Sequence, residues 1–254
     1  MKKLHEKQKK YDMTTKKVGE LIVYGKNSVI DCVNNKLDIS EIHITDEGSL
    51  KYFKDDNTLR GIKIVITNKR TLDEETKENH QGFKAILKSV NYKGLDDLER
   101  LHKDNSPILV LDKIQDPHNF GAIIRTANAG GIKHIIFPKD NAAVINSTVL
   151  KVSSGGFVNM NFYRVNSLNA ALTQLKKRGY WVYSTVLDEK ALPYTTVEYD
   201  RPTILVVGNE GDGVSKSVLS VTDQTIYIPQ RGNVQSLNVS VATGIIVFDA
   251  LTKW

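Results

Sequence analysis

The sequence has little cysteine: Cys32 stands alone among 254 residues. A single cysteine excludes an internal disulfide, and such sparse use is typical of a reducing compartment. No apolar run is long enough to span a bilayer, and the basic N-terminus is not followed by the apolar segment of a secretory signal. We therefore expect a cytoplasmic protein without a membrane partner.

Several common catalytic signatures are missing as well. The six histidines are scattered without the spacing of metal ligands. The sequence contains no G-x-S-x-G nucleophile elbow. The glycine-rich loop of residues 208–213 has neither the glycine spacing of a dinucleotide fingerprint nor the Lys-Ser/Thr pair of a P-loop. The sequence therefore predicts neither a metal site nor a nucleophilic triad.

Positive charge is concentrated at the N-terminus. Residues 1–17 contain seven lysines against two acidic residues, so this segment carries a net charge of +5 of the +6 of the whole chain. One interpretation is an arm that holds a polyanion through phosphate contacts and counterion release. The other is a solvated leader without a binding role, and the sequence leaves both open.

The rest of the chain is predicted to form two α/β units. Residues 18–93 alternate short strands and helices over a length suited to one small domain. Residues 94–105 are charged and rich in turn formers, which indicates a connecting segment. Residues 106–254 alternate apolar strands with helices, and this pattern is typical of a mostly parallel sheet that helices cover on both faces.

Local patterns also predict the bounds of individual elements. Apolar residues at helical spacing favour helices, and Thr71 has the type and context of an N-cap. The segment from Val239 to Leu251 is predicted to form the last helix. The other helices are predicted over residues 27–34, 50–59, 120–130, 142–151 and 167–179.

Two polar segments follow predicted strands, where α/β proteins often build ligand sites. In residues 112–131, Asn119 is predicted to be a helix N-cap or a loop ligand, and Arg125 follows among small residues. Arg125 could instead cap or pair with a neighbouring element. The loop 208–213 is rich in glycine, which permits close approach of a ligand to the backbone. Its Glu210 could contact a ligand, or the loop could be a simple turn.

A third polar segment, 228–242, follows another predicted strand and leads into the last helix. Ser236 and Asn238 lie at the start of that helix. Either residue could cap the helix, and a ligand-binding role is compatible with capping.

These three segments, in this order, resemble the three motifs of the SpoU family of RNA ribose 2′-O-methyltransferases, which belong to the knotted SPOUT class. The matching segments are DPHNFGAIIRTANAGG, VVGNEGDGV and IPQRGNVQSLNVSVA, and the resemblance covers residues 107–254. The segments VYGKNSVIDCV and NHQGFKAIL resemble, more loosely, the family's N-terminal substrate-binding domain. The whole chain is most similar to the two-domain members that act on 23S ribosomal RNA.

The resemblance implies an α/β fold whose C-terminal domain is a trefoil knot with S-adenosylmethionine bound in its bend. It also implies a homodimer with the active site near the interface, and a guanosine of 23S rRNA as the target. One departure is Gln230-Arg231, where the family more often has a methionine after the proline, and this bears on specificity. The implied cofactor contacts are at Gly208, Ile228 and Leu237. The implied catalytic group is Asn119, Arg125, Glu210, Ser236 and Asn238.

The role of the arginine is the main mechanistic question that the resemblance raises, because an arginine has been proposed as the base in this family. A guanidinium stays protonated in proteins. We therefore expect Arg125 to bind the phosphate beside the target ribose and to stabilise the developing alkoxide. The alternative functions are a tRNA or other-site rRNA methyltransferase of the same fold, and an RNA-binding factor that has lost catalysis. The intact catalytic group argues against the latter.

Overall fold

A computed structural model describes residues 20–53, 58–77, 79–98, 106–234 and 236–254. The basic N-terminal segment lies outside the described residues, as does most of the predicted connecting segment, residues 99–105. None of the helices in the part of the chain that the structure describes is long and apolar enough to cross a membrane.

The N-terminal unit is built on a four-stranded sheet and contains short helices. In chain order its elements are β1 (Leu21–Tyr24), α1 (Lys26–Asn34), β2 (Ile39–Ile44), a 3₁₀ helix (Glu47–Tyr52), β3 (Lys63–Ile66), α2 (Lys69–Glu75) and β4 (Phe83–Leu87). The strands lie in the order β1-β4-β2-β3. Strand β4 is antiparallel to β1 and β2, whereas β3 is parallel to β2.

Two local predictions for this unit are wrong. The helix predicted over 50–59 is a 3₁₀ helix that ends at Tyr52, because Phe53 takes an extended backbone (φ −93°, ψ 132°) and buries its ring. Residues 54–57 of that prediction lie outside the described residues. Thr71 is not the N-cap of α2. Asn68 caps this helix instead, and its side-chain oxygen accepts a hydrogen bond of 2.8 Å from the backbone N–H of Thr71.

The second unit is an eight-stranded sheet in which every pair of neighbouring strands is parallel. In chain order its elements are β5 (Tyr92–Lys93), β6 (Ile108–Asp112), α3 (Pro117–Ala129), β7 (His134–Pro138), α4 (Ser147–Ser153), β8 (Asn161–Val165), α5 (Leu168–Lys176), β9 (Trp181–Thr185), β10 (Leu192–Pro193), a 3₁₀ helix (Tyr194–Thr196), β11 (Thr203–Gly208), α6 (Lys216–Leu219), β12 (Gln224–Tyr227) and α7 (Val239–Leu251). The strands lie in the order β10-β12-β9-β11-β6-β7-β8-β5. The short strand β5 follows the N-terminal sheet directly along the chain, yet it pairs with β8 of this second sheet.

Helices cover both faces of this sheet, which confirms the predicted arrangement. Alternate residues of the central strand β11 enter different cores: Leu205 joins the core under α3, α4 and α7, whereas Ile204 joins the core under α5 and α6. Residues 203–207 are all buried. Because both faces of such a strand are buried, its sequence is a continuous apolar run rather than an alternating one. Full burial of each large apolar side chain stabilises the fold by about 1.5–3 kcal/mol.

The starts of two helices differ from the sequence predictions because the capping residues lie elsewhere. Helix α3 begins at Pro117, since the Asp116 side chain accepts hydrogen bonds from the backbone N–H of His118 (3.0 Å) and Asn119 (3.4 Å). Asn119 is therefore not an N-cap and lies in the first turn. The helix predicted from residue 142 begins at Ser147, because Asn146 caps it.

Strand order reverses at the centre of the second sheet. Strand β6 lies between β7, its successor among the central strands, and β11, which comes much later in the chain. The ends of β6 and β11 are in register, with Asp112 opposite Gly208. Ligands of open α/β sheets bind at such a reversal, beyond the carboxyl ends of the strands.

Candidate active site

A cluster of three predicted site residues lies beyond the ends of β6 and β11. The Glu210 Oε1 atom accepts hydrogen bonds from Nδ2 of Asn119 and from Nδ2 of Asn238, each 2.9 Å long. The Asn238 amide also lies 2.9 Å from Oδ1 of Asn119. The structure therefore brings together side chains that are 119 positions apart in the sequence. We call Asn119, Glu210 and Asn238 the amide–carboxylate cluster.

Two helix N-termini support this cluster. Asn119 lies in the first turn of α3, and Asn238 is the N-cap of α7, where its Oδ1 accepts from the Ser240 backbone N–H at 2.9 Å. The Val239 N–H points at Glu210 Oε1 over 3.4 Å. The position of the Glu210 side chain therefore depends on both amides.

The loop after β11 is rigidly built around Gly208. A Cβ atom on Gly208 would lie only 2.2 Å from the carbonyl carbon of Gly213, so no other residue fits without moving the loop. Asn209 ties the loop to its surroundings: its Nδ2 donates to the Lys113 carbonyl at 3.0 Å, and its Oδ1 accepts from the Gly211 N–H at 2.7 Å.

Two supporting residues were missed by the sequence reasoning. The Asn209 side chain fixes the loop, and the buried Asp112 accepts a hydrogen bond of 2.7 Å from the Ser215 backbone N–H across the sheet end. Asp112 ends the apolar run of β6, and a carboxylate directly after such a run was the available signal. Its partner could not be read from the sequence, because Ser215 follows a different strand.

A cavity of about 340 Å³ lies beside the cluster. Its walls are the loop after β11 and the segment after β12, and its apolar floor includes Val207, Ile226 and Ile246. This volume is within the usual range of small-molecule sites, roughly 300–1,000 Å³. The three residues predicted to contact a cofactor, Gly208, Ile228 and Leu237, all line this cavity, as does Ser236. Tyr227 also lines it and was not predicted.

Arg125 lies apart from the amide–carboxylate cluster. It is exposed further along α3, and its Nη1 donates a hydrogen bond of 3.4 Å to the Ser154 hydroxyl, in the loop after α4. Gly156 of the same loop packs against the Arg125 backbone so closely that a Cβ there would lie 3.0 Å from the Arg125 Cα. The guanidinium therefore rests at the side of the loop 153–156, open to a ligand from solvent.

A larger cavity of about 550 Å³ between the two units is lined by residues such as Leu37 and Phe157, and the predicted site residues lie elsewhere. Within the described ranges, no three His, Cys, Asp or Glu side chains come together as a metal site.

Two family models match this chain. Residues 106–248 match the SpoU rRNA methylase family, and residues 22–93 match the domain described as RNA 2′-O ribose methyltransferase substrate binding. The first match alone spans more than half of the chain and contains the whole amide–carboxylate cluster.

Curated sequences and solved structures give similar matches. The chain is 36% identical over 237 residues to a protein of Mycoplasma pneumoniae described as an uncharacterized tRNA/rRNA methyltransferase, covering 89% of this chain and 95% of that one. It is 41% identical over 175 residues to a 23S rRNA (guanosine-2′-O-)-methyltransferase of Acinetobacter baylyi, covering 67% and 70%. The AdoMet-bound rRNA methyltransferase of Sinorhizobium meliloti superposes with a TM-score of 0.78 at 25% identity, covering 92% of this chain and 87% of that one.

Proposed function

Because this chain belongs to the SpoU rRNA methylase family, we propose that it methylates the ribose 2′-hydroxyl of a guanosine in 23S rRNA. The resemblance predicted from the three motifs is confirmed, and with it the assignment as an S-adenosylmethionine-dependent RNA 2′-O-methyltransferase. The 23S target is supported by the relative from Acinetobacter baylyi. The observation that carries the proposal is the amide–carboxylate cluster beside a glycine-walled cavity.

The cavity fits the methyl donor. Gly208, Ile228 and Leu237 line it and would hold the donor through their backbone groups, and its floor is apolar, which suits a ligand with an adenine ring and polar ends. The absence of a side chain at Gly208 lets the loop close tightly on itself and form a fixed wall. When bound, S-adenosylmethionine supplies an electrophilic methyl group on a sulfonium.

The cluster would orient the ribose. Glu210 uses Oε1 for the two amides, and its Oε2 is the atom that can accept a hydrogen bond from a ribose hydroxyl. Asn119 and Asn238 fix the carboxylate in one orientation, and Ser236, at the cavity wall, can hold the hydroxyl from the other side. Fixing two reactants in attacking geometry can remove roughly 7–11 kcal/mol of a barrier at best.

Arg125 would bind the phosphate next to the target ribose. Its guanidinium stays protonated, so it stabilises negative charge on the developing alkoxide rather than removing the proton. Its exposure beside the loop 153–156 allows the RNA backbone to replace Ser154 as its partner.

The arrangement of the whole chain follows the same proposal. Residues 18–93 would form the RNA substrate-binding domain, residues 94–105 the linker and residues 106–254 the methyltransferase domain. Residues 1–17 would be a basic tail that raises RNA affinity. The chain after Gly208 would thread the trefoil knot that the resemblance implies. We place the protein in the cytoplasm, together with the rRNA on which it would act.

The last helix supports assembly into a homodimer. Helix α7 exposes Val241, Phe248 and Leu251, and their spacing of seven and three residues puts them on one face. Exposed apolar faces of this kind mark protein contacts. Because Asn238 caps the same helix, a dimer formed through α7 would place the active site near the interface.

One assay tests the function. Labelled S-adenosylmethionine is offered with unmodified 23S rRNA and with tRNA side by side, and the labelled nucleotide is mapped. We expect the label on the ribose of a guanosine in 23S rRNA. Label on tRNA alone would favour the tRNA-modifying alternative. No transfer to either, despite binding of RNA and methyl donor, would favour a binding factor without catalysis.

A further inference from the structure

The N-terminal unit presents an aromatic ring framed by two lysines. Tyr52, the last residue of the first 3₁₀ helix, is 38% exposed. The Lys26 ammonium lies 3.4 Å from the centre of this ring, and the Lys51 ammonium lies 5.3 Å from it. The buried Phe83 meets the tyrosine edge-on with ring centres 6.1 Å apart, so the ring is held in place while part of it faces solvent.

The N-terminal unit also has a polar cavity, lined in part by residues 79–82. It has a volume of about 510 Å³, and Lys69, Lys77 and Asp73 are among its lining residues. The hydrogen bond from the buried His80 holds the pKa of Asp73 below its usual range, and the two lysines add to this effect. Gln81 lines this cavity, and its side-chain oxygen accepts a hydrogen bond of 3.2 Å from the backbone N–H of Lys26, the residue whose ammonium lies over the Tyr52 ring.

Both features lie at one end of the strands of the four-stranded sheet. Strands β1, β2 and β3 end there and β4 begins there, with Ile44 paired to Phe83 and to Ile66. The same end of the sheet contacts the second unit. A Cβ on Gly155 would lie 2.8 Å from the Ser28 hydroxyl oxygen, and the neighbouring Ser154 accepts the hydrogen bond from Arg125. Helix α1 thus connects the surface formed by Tyr52, Lys26 and Lys51 to the loop that contacts Arg125.

We propose that Tyr52, Lys26 and Lys51 form an RNA-binding surface on which an unpaired nucleotide near the target ribose stacks. The base takes the place of the Lys26 ammonium over the ring, and both lysines then bind the flanking phosphates. Unpaired RNA bases stack on exposed aromatic rings in this way, and the lysines supply the charge complementary to the RNA backbone. The inference rests on the proposed function, since it assigns a further contact to the same RNA.

Stacking is tested by binding of an unmodified 23S rRNA transcript in the absence of methyl donor. The Tyr52→Leu variant keeps an apolar contact with Phe83 but lacks a planar ring, and loss of one stacked base predicts roughly five- to hundredfold weaker binding. Tyr52→Phe should bind within about twofold of wild type, because the ring face is retained. Leu50→Ala is the matched control, since Leu50 lies in the same 3₁₀ helix and is also 38% exposed.

The lysines are tested by salt dependence. Removing one lysine that binds a phosphate should lower the slope of log affinity against log salt by about 0.7, so Lys26→Ala and Lys51→Ala should each show this decrease. Lys63→Ala is the control, because Lys63 is exposed on β3, at the opposite side of the sheet from β1.

Two results would overturn the inference: wild-type affinity in Tyr52→Leu, or an equal loss in Leu50→Ala. Thermal unfolding of each variant verifies that the N-terminal unit remains folded. Because binding is measured without methyl donor, its outcome is separate from that of the methylation assay. A wild-type protein that binds the transcript but transfers no methyl group would refute the proposed function and leave the binding comparison intact.

Discussion

Replacing Gly208 by alanine should both weaken the proposed methyl-donor site and destabilise the fold. The added Cβ would lie 2.2 Å from the Gly213 carbonyl carbon and 2.4 Å from the Val214 nitrogen. Carbon atoms in contact are normally about 3.5–4.0 Å apart, so the loop must move by more than about 1 Å. The loop is closed on itself by the Gly213 N–H, which donates to the Asn209 carbonyl at 2.8 Å, and it cannot relax at Gly208 alone.

The size of the effect follows from what the loop contributes. Overpacking of a tight site costs about 1–3 kcal/mol of folding free energy. Displacement of the wall should remove one or two backbone hydrogen bonds to the methyl donor, each worth about 0.5–1.5 kcal/mol. One or two such bonds correspond to roughly 0.5–3 kcal/mol, or a two- to 150-fold weaker affinity for S-adenosylmethionine.

The assay is isothermal titration of the folded variant with S-adenosylmethionine, combined with thermal unfolding. Gly232→Ala is the matched control, because Gly232 lies in the segment after β12 and a Cβ there has no atom within 4 Å. We expect near-wild-type affinity for this control. Equal affinities of Gly208→Ala and wild type would refute the reasoning, since the wall would then not contact the ligand.

Three other substitutions or modifications test separate parts of the molecule. Asn238→Ala removes a helix cap worth about 1 kcal/mol and an amide that is hydrogen-bonded to Glu210. The rate of methyl transfer should therefore fall by a larger factor than the affinity for S-adenosylmethionine. Equal losses in rate and affinity would contradict an orienting role. Arg125→Lys keeps the charge but not the fork of donors, so turnover should drop well below wild type, and near-normal turnover would exclude the proposed role. Burial raises the pKa of the Cys32 thiol to about 12, whereas a free thiol has a pKa of about 8.5. Iodoacetamide at pH 8 should therefore label the unfolded protein on the order of a thousand times faster than the folded protein. Rapid labelling of the folded protein would show that α1 opens.

Local sequence patterns predicted the elements well where short-range interactions decide them. The last helix begins at Val239 and ends at Leu251 as expected, because its cap and its apolar run are contiguous. Leu168, Leu172 and Leu175 of α5 are buried at the spacing of one helix face, within the helix predicted over residues 167–179. Errors arose where a neighbouring residue competed for the same role: Asp116 displaced Asn119 as a cap, and Asn68 displaced Thr71.

The sequence named the three members of the amide–carboxylate cluster but not the geometry of the cluster. The motif resemblance named Asn119, Glu210 and Asn238 as members of one group, yet their shared hydrogen bonds depend on β6, β11 and α7 meeting at one sheet edge. The same limit applies to Arg125, which the structure places against Ser154. The periodicity of apolar residues reports only local structure. It cannot predict these contacts, because each one joins segments that lie far apart in the sequence.

The contact between Asn119 and Asn238 has a consequence during protein synthesis. The ribosome delivers the chain from the N-terminus, so β6 and the start of α3 are made long before α7. Until Asn238 emerges, the Glu210 carboxylate has only one of its two side-chain donors. A nascent chain can therefore expose Lys26, Lys51 and a partly formed sheet while the amide–carboxylate cluster is still incomplete. Contacts over such long separations also form slowly, so methyltransferase activity should appear late, after the bulk of the secondary structure.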